Sequence, residues 1–173
     1  MTGADGCRAK DTTSRRDGAL LLDERDLSRI ADHAAATYPH ECCGLLVGLR
    51  GGRTEVRAAH PVENQNRERA RDRYQVDPRD IHRLDVESEK EGMTVVGFYH
   101  SHPDHPPSPS ATDAECAWPG YVYLICSVTV CGAAETKAWV YDEALGQFVE
   151  WPIEIETAYR GQPLCDRGTA IRR

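Results

Sequence analysis

The sequence lacks several patterns that would place it in a common functional class. The apolar run nearest the N-terminus, residues 19–22, is too short for a signal peptide or a membrane span. No glycine-rich phosphate-binding loop is present. The formal net charge of −7 gives no support for nucleic-acid binding, which needs a basic face. These absences disfavour membrane, P-loop and nucleic-acid-binding proteins.

Cysteine occurs seven times, but no pair has the Cys-x-x-Cys spacing of structural zinc sites. An odd number without framework spacing predicts free thiols in a reducing compartment, so we expect a cytoplasmic protein. Cys42 and Cys43 follow Glu41 directly and suggest a thiol nucleophile. Strand alternation would place them on opposite faces, and no signature of a cysteine hydrolase surrounds them, which disfavours a catalytic cysteine.

The chain of 173 residues, 40% of them apolar, is long enough for one domain with its own core. We expect residues 1–17 to be disordered, 18–158 to form the domain and 159–173 to be a flexible tail. Apolar spacing predicts helices over 20–37 and 78–91. Strands of a mixed sheet are predicted near 43–49, 53–60, 94–100, 121–130, 134–142 and 147–155.

The segment most indicative of function is His100-Ser101-His102, which lies at the end of the predicted strand 94–100. Side chains two apart on a strand share a face, so His100 and His102 point the same way. A proline-rich stretch, residues 103–109, then turns the chain. Ser110 suits the N-cap of a short helix with Asp113 in its first turn. We therefore expect the two imidazoles and the Asp113 carboxylate to meet.

Two histidines and one carboxylate make the three-ligand set that catalytic zinc sites use, with a fourth position left open. The same set also describes non-haem iron sites, although zinc is favoured. Each residue also has an ordinary structural role. Ser110 and Asp113 could be only a helix cap and a first-turn acid, and a lone His100 or His102 only a half-buried side chain. Their shared register favours metal ligation.

A run of mixed charge over residues 63–74 could bind a partner, but such runs are usually solvated surface. His105, in the proline-rich loop, could touch substrate, but a solvated loop histidine is the simpler interpretation. We assign neither feature to the site.

Together the site residues resemble the JAMM, or MPN+, metalloprotease family. Its pattern is a glutamate, then His-Ser/Thr-His, seven residues, Ser, two residues and Asp. Every position is filled here, by Glu41, His100, His102, Ser110 and Asp113. The run Pro-His-Glu-Cys-Cys-Gly around Glu41 also looks like the family's glutamate strand. The resemblance covers roughly residues 19–152 and implies the α/β MPN fold, a mixed curved sheet flanked by helices.

The resemblance implies a role for each of these residues. His100, His102 and Asp113 would bind one zinc ion. Glu41 would be the general base and not a ligand, taking a proton from the attacking water and giving it to the departing amine. Ser110 would donate a hydrogen bond to the oxyanion.

The resemblance also implies cleavage after the C-terminal Gly-Gly of a ubiquitin-fold protein. Only residues 114–120 separate Asp113 from the next predicted strand, so the chain is similar to compact bacterial members without insertions. Some of these release cysteine or a short extension from a ubiquitin-like sulfur-carrier protein. Isopeptidase action on ubiquitin-like conjugates, hydrolysis of a small amide, and a catalytically silent partner-binding scaffold stay open. The oligomeric state does not follow from the sequence.

Overall fold

A mixed sheet with helices packed on it organises residues 18–156, the part of the chain that the computed structural model describes. The predicted segments 1–17 and 159–173 lie outside the described residues, and the domain bounds 18–158 stay a prediction. The elements are β1 Leu20–Asp23, α1 Glu24–Thr37, β2 Cys43–Arg50, β3 Thr54–Val62, α2 Pro78–Glu89, β4 Thr94–Pro103, α3 Ala111–Glu115, β5 Val122–Thr129, β6 Gly132–Asp142, β7 Gln147–Trp151 and β8 Ile153–Glu156.

The predicted start of the first helix is wrong. Its first residues form β1, which pairs in parallel with β3 and β8. Leu20 and Leu22 are fully buried and Leu21 is not, which is the two-residue period of a strand. The helix begins after Asp23, whose carboxylate accepts a hydrogen bond from the Arg25 backbone N–H at 2.7 Å and so caps it.

The single strand predicted over 147–155 is two strands, separated at Pro152. β7 pairs with β6, whereas β8 pairs with β1, and the strand order is β7-β6-β5-β4-β2-β3-β1-β8. Consecutive strands therefore occupy the two ends of one sheet. β7 ends at Trp151 and β8 begins at Ile153, so the sheet must curl until its two ends lie one residue apart. The curled mixed sheet confirms the expected fold class.

The central strands are buried on both faces. On one face the core includes Leu46, Tyr99 and Ile30 of α1, and on the other Leu45 and Leu84 of α2. Strands β2, β4 and β5 therefore form a rigid layer between the helices. Among residues 18–156, no helix is long and apolar enough to span a membrane.

Candidate metal centre and active site

The end of β4 carries the two histidines. β4 runs to Pro103, beyond its predicted end, because β5 pairs with it in parallel along this stretch. His100 is fully buried and His102 is 8% exposed. Between them, the Ser101 hydroxyl accepts a hydrogen bond from the Cys42 N–H at 2.9 Å, and the Ser101 N–H donates to the Cys42 carbonyl at 3.1 Å. This ladder ties β4 to the chain next to Glu41.

The short helix α3 positions the carboxylate, and its predicted start at Ser110 is confirmed. The Asp113 backbone N–H donates to Ser110 Oγ at 3.2 Å. In return the Ser110 N–H donates to Asp113 Oδ2 at 2.6 Å. This reciprocal capping box fixes the Asp113 side chain from its own helix.

Three side chains bring potential metal-ligand atoms together between β4 and α3. His100 Nε2 lies 3.0 Å from His102 Nε2. The Asp113 oxygens lie 3.3 Å from His100 Nε2 and 3.5 Å from His102 Nε2. Ligand atoms about 2.0–2.2 Å from a tetrahedral zinc ion are roughly 3.3–3.6 Å apart. Both histidine–carboxylate distances lie in this range and the two imidazole nitrogens are slightly closer, so one ion fits after a small separation of the rings.

The tautomer of His102 and the charge states of His100 and Asp113 suit a cation. His102 Nδ1 lies 3.0 Å from the Pro106 carbonyl, which fixes the proton there and turns the Nε2 lone pair to the centre. Burial lowers the pKa of His100, so its imidazole is neutral. Burial alone would raise the pKa of Asp113, but contacts with both histidines and the Ser110 N–H lower it well below its ordinary value. Burial alone would lower the pKa of His102, but its contacts with Asp113 and the Pro106 carbonyl raise it, so metal binding would displace its proton. A neutral imidazole and an ionised carboxylate are the forms that bind metal.

Glu41 lies just before β2 and is only 5% exposed. Burial raises the pKa of its carboxyl to about 7; His102 opposes this shift and Asp113 adds to it. A carboxyl with a pKa near neutrality can both accept and return a proton. Glu41 also lines the same cavity as Ser110 and Asp113.

That cavity has a volume of about 240 Å³. Polar groups line one part of it and apolar side chains the other, the latter being Val76, Pro78, Ile81, Phe98 and Trp118. The cavity therefore gives a substrate access to the base and the carboxylate. His105 is exposed, as the simpler interpretation expects.

The two cysteines beside Glu41 are both buried. Burial raises the pKa of each thiol to about 12. Cys42 and Cys43 are therefore protonated thiols and poor nucleophiles, which argues against a catalytic cysteine.

Two residues near the site were not predicted from the sequence, and both lie in the mixed-charge run 63–74. The ring of Tyr74 stacks on the His100 imidazole, with centroids 4.4 Å apart and an interplanar angle of 22°. The side chain of Asn64 donates to the backbone of Glu41. Charged neighbours such as Arg67 are exposed, as expected for surface. The available signal was the presence of uncharged Asn and Tyr side chains within a charged run.

The part of the chain that forms this site matches known proteins. The family model for prokaryotic homologs of the JAB domain matches residues 23–142. Over 141 residues the chain is 47% identical to the desampylase of Haloferax volcanii, covering 80% of this chain and 96% of that protein. Over 105 residues it is 34% identical to the desampylase of Pyrococcus furiosus, covering 60% and 68%. The solution structure of a protein from Desulfitobacterium hafniense is similar with a TM-score of 0.70 and 27% identity, covering 80% of this chain and 94% of that one.

Proposed function

The chain belongs to the prokaryotic JAB-domain group of the JAMM/MPN family, and from that membership we propose that it is a zinc-dependent peptidase. It would hydrolyse the peptide bond that follows the C-terminal Gly-Gly of a ubiquitin-like protein. The observation that carries the proposal is the convergence of His100, His102 and Asp113 donor atoms beside a cavity that Glu41 and Ser110 also line. We propose residues 18–158 as the catalytic domain.

In this proposal His100 and His102 bind the metal through Nε2 and Asp113 through its carboxylate. Zinc is proposed because the set has two nitrogen donors and one oxygen donor, as in catalytic zinc sites. A bound zinc ion supplies polarisation of the scissile carbonyl and acidification of the attacking water. The Pro106 carbonyl keeps His102 in the ligating tautomer.

Glu41 is proposed to move the proton. Its carboxylate accepts a proton from the attacking water and then gives it to the departing amine. Burial raises the pKa of its carboxyl to about 7 without a metal ion, and a bound zinc ion would lower it, which favours the carboxylate form that accepts the proton. It is not among the three clustered ligand residues, so it stays free for this role.

Ser110 is proposed to stabilise the oxyanion. Its Oγ accepts the Asp113 N–H through one lone pair, which leaves the hydroxyl hydrogen free to donate. A donor held in place by a helix cap needs little reorganisation when charge develops on the substrate oxygen. Cap and oxyanion donor are therefore compatible roles for one hydroxyl.

The proposed substrate is a ubiquitin-like sulfur-carrier protein whose Gly-Gly is followed by cysteine or a short extension. The two desampylases support a ubiquitin-like partner in general, because a desampylase acts on conjugates of ubiquitin-like archaeal proteins. Isopeptidase action on such conjugates is the alternative. Glycine at the scissile position would let the backbone approach the metal closely. The reducing cytoplasm stays the predicted compartment, and the five cysteines within residues 18–156 are free thiols.

The test uses zinc-loaded protein and two carriers, one with residues directly after Gly-Gly and one joined through Gly-Gly to a lysine side chain. Intact mass reports which extension is lost. We expect wild type to cleave, and Glu41→Gln to be slower by about 10²- to 10⁴-fold with its zinc retained, because one proton-transfer group is lost. Glu63→Gln, an exposed glutamate, is the matched control. Cleavage of neither carrier by wild type would contradict the proposal and favour a small-amide hydrolase or a scaffold.

A further inference from the structure

The backbone of Glu41 is held by a loop and not by a strand. Glu41 precedes the first residue of β2, so it takes no part in the β2 ladders. Its N–H donates to the Ala70 carbonyl at 2.6 Å. Its carbonyl accepts from Asn64 Nδ2 at 3.1 Å. Both backbone groups of Glu41 therefore depend on the segment that joins β3 to α2.

The Asn64 amide uses its full hydrogen-bonding capacity at this point. Nδ2 donates to the carbonyls of Glu41 and Arg73, at 3.1 and 3.0 Å. Oδ1 accepts from the N–H groups of Asn66 and Gln75, at 2.9 and 3.1 Å. Two acceptors on one side and two donors on the other permit only one amide orientation. Asn64 is thus a fixed link, half-buried, between three segments of the chain.

The same link reaches the metal centre through Tyr74. Asn64 bonds to the residue on each side of Tyr74, so it sets the course of the backbone there. That course lays the Tyr74 ring against the buried His100 imidazole. One side chain thereby holds the proposed base and braces the ring beside the proposed ligand.

We propose that Asn64 is a positioning residue for hydrolysis, which acts by fixing Glu41 relative to the metal centre. The inference rests on the proposed role of Glu41 as base. Glu41 itself has no strand partner, so this hydrogen bond and the Ala70 contact place its backbone on one side, and the Cys42–Ser101 hydrogen bonds anchor the next residue. A base displaced by about 1 Å can slow catalysis by about 100-fold even when substrate still binds.

Asn64→Asp tests this with the smallest change in shape. One carboxylate oxygen still accepts from the Asn66 and Gln75 N–H groups, whereas the other faces two carbonyls and repels them. We expect kcat to fall at least about tenfold, with KM within about twofold and zinc retained, because geometry is lost and not substrate binding. Gln65→Glu is the matched control, since it makes the same amide-to-acid change on the exposed side chain of the next residue. It should stay within twofold of wild type in kcat.

Hydrogen exchange read by mass spectrometry supplies a measurement that needs no substrate. The Glu41 N–H bonds to the Ala70 carbonyl on the loop that Asn64 holds, so it should exchange faster in Asn64→Asp than in Gln65→Glu. A kcat within twofold of wild type, or unchanged exchange at Glu41, would overturn the inference. If wild type cleaves no carrier, the proposed function fails, and the exchange result still decides whether Asn64 holds Glu41.

A second variant keeps the inference testable if Asn64→Asp does not fold. Asn64→Ser keeps a hydroxyl acceptor but is too short to reach the Glu41 carbonyl. Loss of kcat with zinc retained in this variant supports the inference. Loss of zinc affinity by more than about tenfold in folded Asn64→Asp or Asn64→Ser would overturn it, because the effect would then exceed what the Tyr74 stack can contribute and Asn64 would act on the metal centre and not on the base.

Discussion

The candidate active site has two halves that are built differently. In the ligand half, β4 and α3 hold His100, His102 and Asp113. The Pro106 carbonyl orients His102 and Ser110 orients Asp113, both from close in sequence, whereas the His100 ring stacks on Tyr74. In the base half, Glu41 depends on a loop more than twenty residues away. The ligand half is positioned by regular elements, whereas the base half is positioned by side-chain hydrogen bonds to irregular backbone.

This difference separates two properties of the site. Metal binding should depend on residues of β4 and α3, and proton transfer on the segment around Glu41. Substitutions in one half should therefore leave the property of the other half largely intact.

Asp113→Asn should have the largest effect because it removes the proposed charged ligand from the ligand half. We expect zinc affinity to fall by more than about 100-fold, since loss of even an outer partner of a ligand typically costs 10- to 100-fold. Hydrolysis should be lost with the metal. Zinc titration of purified protein measures the effect.

Asp104→Asn is the matched control for that change. Asp104 lies in the loop between His102 and α3, and its exposed carboxylate accepts from the Tyr38 hydroxyl at 3.2 Å. Its zinc affinity should equal that of wild type. Equal affinities in Asp113→Asn and Asp104→Asn would mean that Asp113 is not a ligand.

Gly44→Ala should disturb the junction of the two halves. Gly44 pairs with Tyr99, next to His100, and a methyl group there would overlap the Tyr99 ring and lie 2.5 Å from the His60 carbonyl oxygen. We expect the free energy of unfolding to fall by about 1–3 kcal/mol, as for other overpacked cores. Chemical denaturation measures it. Gly52→Ala, with open space around the added methyl, should be near neutral, and equal losses in both variants would contradict the packing argument.

Tyr74→Leu should test whether the base half also supports a ligand. Removing the ring that stacks on His100 should weaken zinc binding about 2- to 10-fold, from the roughly 0.5–1.5 kcal/mol of an aromatic pair. Tyr74→Phe keeps the stacked ring and should bind zinc like wild type. If Tyr74→Leu also binds zinc like wild type, the stack has no part in the metal centre.

Arg67→Ala should have the smallest effect. Arg67 lies on the same loop and pairs with Glu63 at 3.2 Å, but both side chains are largely exposed. We expect the free energy of unfolding to change by less than about 0.5 kcal/mol and the KM for the carrier to stay the same. A several-fold rise in KM would instead assign the charged face of this loop to carrier binding.

The convergence in the ligand half could be predicted because its geometry is local. A two-residue period puts His100 and His102 on one face, and the cap at Ser110 sets the turn that carries Asp113. Asn64 and Tyr74 escaped prediction because their partners are distant in sequence and the joining backbone is irregular. The spacing of apolar residues in the sequence does not indicate such long-range side-chain contacts.

Most helices and strands could also be predicted from local periodicity. The exceptions are segments whose structure is set by pairing with strands distant in sequence. Leu20 continues the helical spacing of Leu27 and Ile30, yet parallel pairing with β3 and β8 makes its segment a strand. Likewise, Pro152 divides the strand predicted over 147–155, and its two parts, β7 and β8, lie at opposite ends of the sheet. Local propensity competes poorly with such pairing.

The most direct test of metal-dependent hydrolysis at this site is removal and return of the metal. Wild-type protein is stripped with a chelator, zinc is added back in steps, and loss of the residues after Gly-Gly is followed by intact mass. We expect no cleavage without metal and full recovery at one zinc per chain, with no recovery in Asp113→Asn. An unchanged rate in the stripped wild-type protein would contradict the account.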